Sequence, residues 1–225
     1  MSAAVGYPLG SFQSYVGTLR KFFHGDVWLS TSNNVSTEIE QYMTRHNIHW
    51  MVQPELTGHK AKDRFSFFET VCDADKYTLC LHTDFRDSFF QGDPFAEFYE
   101  SADDDKNSIL YVYNHNKLMN RWAYKQYGRC GLQKYEKYIR GKLIPNSGSI
   151  IATPSIWKEL ARINLLFNDC DDQILYLAWI YTPEIRNETV TPHPIIKHHK
   201  QGEGAMNVVG FGTQYQAIYL SVIKQ

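Results

Sequence analysis

Residues 77–95 read YTLCLHTDFRDSFFQGDPF: an apolar run from Tyr77 to His82, then Thr83-Asp84-Phe85-Arg86-Asp87, then the turn Gln91-Gly92-Asp93-Pro94 before Phe95. Six residues of this character, bounded by turn-formers, predict a strand over 77–82. The acids follow that strand, and in open α/β sheets ligands collect at the carboxyl ends of strands. Asp84 and Asp87 lie three positions apart on the turn, so both carboxylates can reach one hard divalent cation that also holds a diphosphate. Their oxygen chemistry suits Mg2+ or Mn2+. Arg86 stands between them, and its simplest role is an ion pair that orients the acids.

Asp73-Ala74-Asp75 is a closer match to a paired-acid motif but stands before the strand, at the edge away from the ligand. Aspartate favours turns through local hydrogen bonds, so we read it as a helix-to-strand turn. Upstream, the chain alternates strand and helix signals. Residues 3–7 form a short apolar run broken by Gly6 and Pro8, 11–23 have helical spacing, and 26–31 read as a strand. Residues 34–46 carry a helix with the capping sequence Ser36-Thr37-Glu38, 48–52 a strand, and 63–72 a helix. Strands separated by helices of this length imply right-handed crossovers and a mainly parallel sheet.

Downstream, 109–113 predict a further strand. Residues 114–140 carry Lys117, Arg121, Lys125, Arg129, Lys134, Lys137 and Arg140 against Glu136, and predict helix in pieces around Gly128 and Gly131. That stretch is either a solvated face or a surface for an anion or an acceptor. Residues 142–151 read as a strand interrupted by Asn146-Ser147-Gly148. Glycine weakens a strand unless it marks a bulge or a close backbone approach. Thr153-Pro154 starts a helix, with the Thr153 hydroxyl as its cap and proline at the first helical position. Another begins after Asp171-Asp172-Gln173, with Asp171 as the cap, leaving Asp172 and Gln173 free to face the crevice. The tail from residue 182 reads as a Pro/Gly-rich loop with His193, His198 and His199, then a strand or hairpin over 207–219.

A chain of 225 residues with 43% hydrophobic and 21% charged side chains fits one packed domain. Its 23 basic and 24 acidic side chains give a net charge of -1, so no global field draws it to nucleic acid. No run reaches the length that spans a bilayer, and the start lacks a signal pattern, which implies a cytoplasmic protein. Cys72, Cys80, Cys130 and Cys170 show no metal or Cys-x-x-Cys spacing and read as reduced core thiols; His82 reads as a satisfied core residue. The 15 tyrosines serve either a core or stacking surfaces for sugars. Zinc hydrolase, serine hydrolase and Walker-loop signatures are absent.

Thr83-Asp84-Phe85-Arg86-Asp87 with Phe90-Gln91-Gly92-Asp93-Pro94-Phe95, Asn146-Ser147-Gly148 with Ile150-Ile151, and Asp172-Gln173, in this order, resemble glycosyltransferases of the GT-A type. Within that group the chain is most similar to compact domains encoded by large viruses of green algae (chloroviruses). The resemblance implies a single Rossmann-like α/β domain over 1–225, with a mainly parallel central sheet flanked by helices. About 1–95 would bind the nucleotide and about 96–225 the acceptor.

It further implies a UDP-sugar donor held by Gly6, Tyr7, Arg64, Thr83, Asp84, Phe85, Arg86, Asn146, Ser147 and Gly148. Mn2+ or Mg2+ would sit on Asp84 and Asp87, with His198 the candidate third ligand beside His193 and His199. Asp172 and Gln173 would act at the anomeric carbon, with retention of configuration. Arg86 fills the third position of the common Asp-x-Asp, which is why Asp87 must serve as second acid. Transfer of a hexose or deoxyhexose to a saccharide is the leading expectation. A nucleotidyltransferase or nucleotide-sugar hydrolase is the enzymatic alternative, and a sugar-binding module without catalysis is the third.

Overall fold

Strand β1 (Ser2–Ala3) and helix α1 (Leu9–Leu19) open the chain. Phe12, Tyr15, Val16 and Leu19 bury the stripe that the 11–23 periodicity predicts, from a helix that starts directly after Pro8. Strand β2 (Trp28–Thr31), helix α2 (Thr37–Arg45) and strand β3 (His49–Val52) repeat the plan. The Ser36 hydroxyl caps α2 by accepting from the Ile39 amide at 3.4 Å. Helix α3 (Lys60–Val71) buries Phe65, Phe67 and Phe68 completely, each contributing about 2 kcal/mol by leaving water. In this computed structural model the described residues are 1–96, 98, 108–118, 121–167, 169–187, 194–200 and 206–208, with backbone alone at 113–118, 199–200 and 206–208.

Strand β4 (Cys80–Thr83) is buried along its whole length, and the short β5 (Ser88–Phe90) follows the acidic turn. Then come β6 (Ile109–Leu118), α4 (Arg121–Arg129), a 3-10 turn (Gln133–Tyr135), α5 (Glu136–Ile139), β7 (Leu143–Ala152), α6 (Pro154–Leu166) and α7 (Asp172–Tyr181). Strands β8 (Ile195–Lys200) and β9 (Met206–Val208) end the described chain, β9 pairing antiparallel with β5.

Parallel pairing gives the order β1-β2-β3, and a second set runs β4-β7-β6-β8. The sets meet at Met1, whose amino group donates to Leu81 O at 2.7 Å while the Thr83 amide donates to Met1 O at 3.3 Å. That is a parallel bridge, so the strands follow one another as β3-β2-β1-β4-β7-β6-β8. Only β7 runs against the rest of this row, antiparallel to both β4 and β6. The fold is therefore a Rossmann-like α/β domain with a mainly parallel central sheet. One core packs α3, α4, α6 and α7 on one face, and the other packs α1, α2 and Phe85, Phe90 and Phe98 on the opposite face. No helix among the described residues is long and apolar enough to cross a membrane.

Four expectations change. Residues 114–118 extend β6 instead of opening a helix, because β7 and β8 pair on either side of it. His198 belongs to β8, not to a loop. Thr153 precedes α6 but does not cap it; its hydroxyl accepts from the Ile109 amide at 3.3 Å and tethers helix to sheet. The cysteines form disulfides, Cys72–Cys80 and Cys130–Cys170, with Cα separations of 6.1 and 5.1 Å that suit the bond. Spacing hid them because each pair is joined by the fold: one spans the α3–β4 connection, the other ties the end of α4 to the α6–α7 turn.

Candidate active site

Strand β4 ends at Thr83, and the chain turns into Asp84 where the reversed β7 arrives. The Asp84 amide donates to Gly148 O at 2.8 Å. A Cβ on Gly148 would stand 2.2 Å from Asp84 Oδ2, so this glycine exists to let the carboxylate lie on the strand. Asn146 fixes the same bend, its side-chain oxygen accepting from the Gly148 amide at 2.9 Å. Pairing of β6 shifts here: Val112 faces Ile150 but Asn114 faces Pro145, so β7 uses five positions where β6 uses two. The Asn-Ser-Gly segment is thus both bulge and close approach, and Asn146 and Ser147 are buried against the site.

Arg64 reaches from α3 into this edge. Its guanidinium donates to Asp84 Oδ1 at 2.7 Å and to Asp172 Oδ2 at 2.6 Å. The arginine and Asp172 side chains are 12% exposed and Asp84 is 36% exposed, so the clamp is dry at one end and open at the other. Burial opposes the charge on Arg64, but Asp172 and Asp84 outweigh it and push its pKa up. The cation that clamps Asp84 to Asp172 is thus Arg64, while Arg86 is exposed on the turn and acts on Asp87.

Around the clamp stand the other expected residues. Gly6 adopts φ +77° just after β1, a conformation glycine takes without strain, and delivers Tyr7 to the edge. Tyr7 packs on Phe85 at 5.5 Å, and Phe85 sits on Phe12 and Tyr15 at 4.8 Å each. Thr83 shares a 2.5 Å hydrogen bond with the Tyr15 hydroxyl, whose pKa burial raises to about 12. The pKa of Asp87 is raised by partial burial and by Asp84, with Arg86 opposing. That of Tyr7 is raised by burial and then by Asp87. These mutual effects place Tyr7, Asp84, Arg86 and Asp87 within electrostatic reach of one another.

Asp171 caps α7 as expected, accepting from the Gln173 amide at 3.0 Å. Its pKa is pushed up by burial and by Asp172. The Gln173 side-chain Nε2 donates to Pro145 O at 3.0 Å, so it fastens α7 to the bent part of β7. The amino end of α7, with its positive dipole, faces the same edge as Asp172.

One residue escaped the sequence reading, and another read as core lies beside the site. Lys62, one of the most deeply buried side chains, donates to Phe167 O at 2.5 Å and lies near Asp169 and Asp172, holding the α6–α7 turn against α3. Its signal was a lysine in an otherwise aromatic helix, two positions from Arg64. His82 is buried beside the clamp, its Nε2 3.8 Å from Asp84 Oδ1 and its ring next to the Met1 and Ser147 backbones. Burial, then Arg64, holds it neutral.

The turns at Asp73 and Asp93 are as expected, each carboxylate accepting from the amide two residues on, at 3.0 and 2.9 Å. His198 stacks on Tyr181 at 6.0 Å, on the edge strand of the sheet. His193 and the His199 side chain lie outside the described residues. Among the described residues, no three His, Cys, Asp or Glu side chains gather to hold a cation. A cation held on the turn of Asp84 and Asp87 would take most of its ligands from water and substrate phosphates, not from a cage of protein side chains.

No family model matches the chain, and no curated protein does. Solved structures do. One is a candidate glucose-1-phosphate thymidylyltransferase from Bacillus anthracis, in complex with sucrose. It has 10% sequence identity and a TM-score of 0.56, over 98% of this chain and 93% of that one. At that identity the likeness establishes the shared fold.

Proposed function

We propose that the chain is a metal-dependent glycosyltransferase of the GT-A type, resembling those of large algal viruses, that moves a hexose or deoxyhexose from a UDP-sugar to a saccharide acceptor. One observation carries this reading: Asp84, at the carboxyl end of β4 and lying on Gly148, is joined through Arg64 to Asp172 at the amino end of α7. Two carboxylates from different halves of the sequence are so held at one edge of the sheet. Tyr7 and Phe85 wall the nucleotide side, and Asn146, Ser147 and Gly148 supply the floor.

Asp84 and Asp87 would hold Mn2+ or Mg2+, which neutralises charge developing on the diphosphate leaving group. Arg64 pairs with both Asp84 and Asp172 and fixes their spacing. Asp172, with Gln173 behind it, faces the sugar, where a carboxylate stabilises an oxocarbenium-like transition state and favours retention. Lys62 and the amino end of α7 add positive potential beside the phosphates.

A nucleotidyltransferase acting on a sugar phosphate is the second reading, favoured by the fold shared with the Bacillus anthracis protein. Sugar appearing on an acceptor supports the first reading; released pyrophosphate supports the second. Asp84→Ala should abolish Mn2+-dependent turnover with the circular dichroism spectrum unchanged. Full activity in that variant would remove the assigned site. The two disulfides favour an oxidising compartment over the cytoplasmic location expected from the sequence.

A further inference from the structure

Between residues 121 and 142 the chain carries seven cations and one acid, Glu136, a local excess of +6 (7 - 1) in a protein of net charge -1. All seven are exposed. Arg121, Lys125 and Arg129 are spaced by four along α4 and form one solvent stripe, while Ala123 and Tyr127 bury the other side. Beyond α4, cations lie over tyrosine rings. Lys134 sits 4.6 Å from the Tyr135 centroid, Lys137 4.7 Å from that of Tyr138, and Lys142 5.8 Å from that of Tyr181.

The placement of this surface gives it meaning. Cys130–Cys170 joins it to the turn that carries Asp171 and Asp172. Lys142 immediately precedes β7 and stands six residues before Gly148, a span of at most about 20 Å along a strand. The basic surface and the candidate active site are therefore two ends of one structural unit.

We propose that this surface binds the chain of an anionic glycan, bearing carboxylate or sulfate groups, whose end is presented to the Asp84–Asp172 edge. The inference rests on the reading of the acceptor as a saccharide. Exposed ammonium and guanidinium groups in a row meet repeated anionic groups, and the tyrosines beneath hold the lysines in place. Bases of single-stranded nucleic acid need open aromatic faces, and here Lys134, Lys137 and Lys142 cover them. Membrane adsorption needs an apolar stripe beside the cations, and α4 exposes only Trp122 among its large apolar side chains.

The test is binding of the full chain to polygalacturonate oligomers, with neutral dextran, a single-stranded oligonucleotide and phosphatidylserine vesicles as competitors. Selective, salt-sensitive binding to polygalacturonate, weakened about tenfold in Lys134→Glu/Lys137→Glu, is expected. Equal binding of dextran, stronger binding of the oligonucleotide or vesicles, or no loss in the variant overturns the proposal. A parallel titration with UDP and Mn2+ separates the two readings. UDP affinity without polygalacturonate binding defeats this inference alone. Polygalacturonate binding without UDP affinity defeats the donor site and leaves the surface standing.

Discussion

A methyl group on Gly148 and the carboxylate of Asp84 cannot share the same space. Gly148→Ala should cost about 1–3 kcal/mol, because the carboxylate is tied to Arg64 and cannot simply swing away. UDP affinity with Mn2+, read by calorimetry, should fall about tenfold to a hundredfold. In the Asp84→Ala background the same substitution should cost almost nothing in stability, which identifies the contact. Asp87 makes the second test. Its pKa in the folded state is raised, so its favourable contribution is complete below the unfolded value of about 3.9 and is lost as pH rises through the folded value. Asp87→Asn should therefore raise the melting temperature by about 2 °C at pH 7 and by nothing near pH 3, while weakening Mn2+-dependent UDP binding. The sequence placed Asp84 at the carboxyl end of β4, because the apolar run stops directly before it. It could not reveal that Arg64 joins Asp84 to Asp172, since that depends on which face of α3 meets the sheet.

Elements with strong local signals were legible in the sequence. The Ser36 cap, Pro154 at the first turn of α6 and the Asp171 cap each marked a helix start, and all three helices begin there. Where the signal was long-range, the reading failed. Residues 114–118 look polar and basic, yet become strand because β7 and β8 supply partners. The disulfides likewise depend on elements meeting. Chain entropy gives Cys130–Cys170, with a separation of 40 residues, about 4 kcal/mol, and Cys72–Cys80, with a separation of 8, about 2.5 kcal/mol. Replacing each pair by serine should therefore lower the urea midpoint more for the longer loop. The Cys130→Ser/Cys170→Ser protein should also lose activity first, because that bond holds the turn beside Asp172.

At the scale of the molecule, the bridge between Met1 and β4 decides whether the two strand sets behave as one. Each core draws on residues from both ends of the chain: Phe65 meets Trp157 in one, Leu29 and Ile151 belong to the other. Unfolding should therefore be a single transition, with tryptophan fluorescence and far-ultraviolet circular dichroism coincident. Two separated transitions would show that the strand sets fold apart. The reversal of β7 reaches further than stability. Because it runs backward, residue 148 meets residue 84 through ladder hydrogen bonds, and the chain between them closes a loop whose ends are pinned. Doubling the β5–β6 connection would cost only about 0.6 kcal/mol of closure entropy and move neither end. The length of chain between the two strands can therefore change while the acid pair stays fixed, because ladder hydrogen bonds and not the connection hold residues 84 and 148 together.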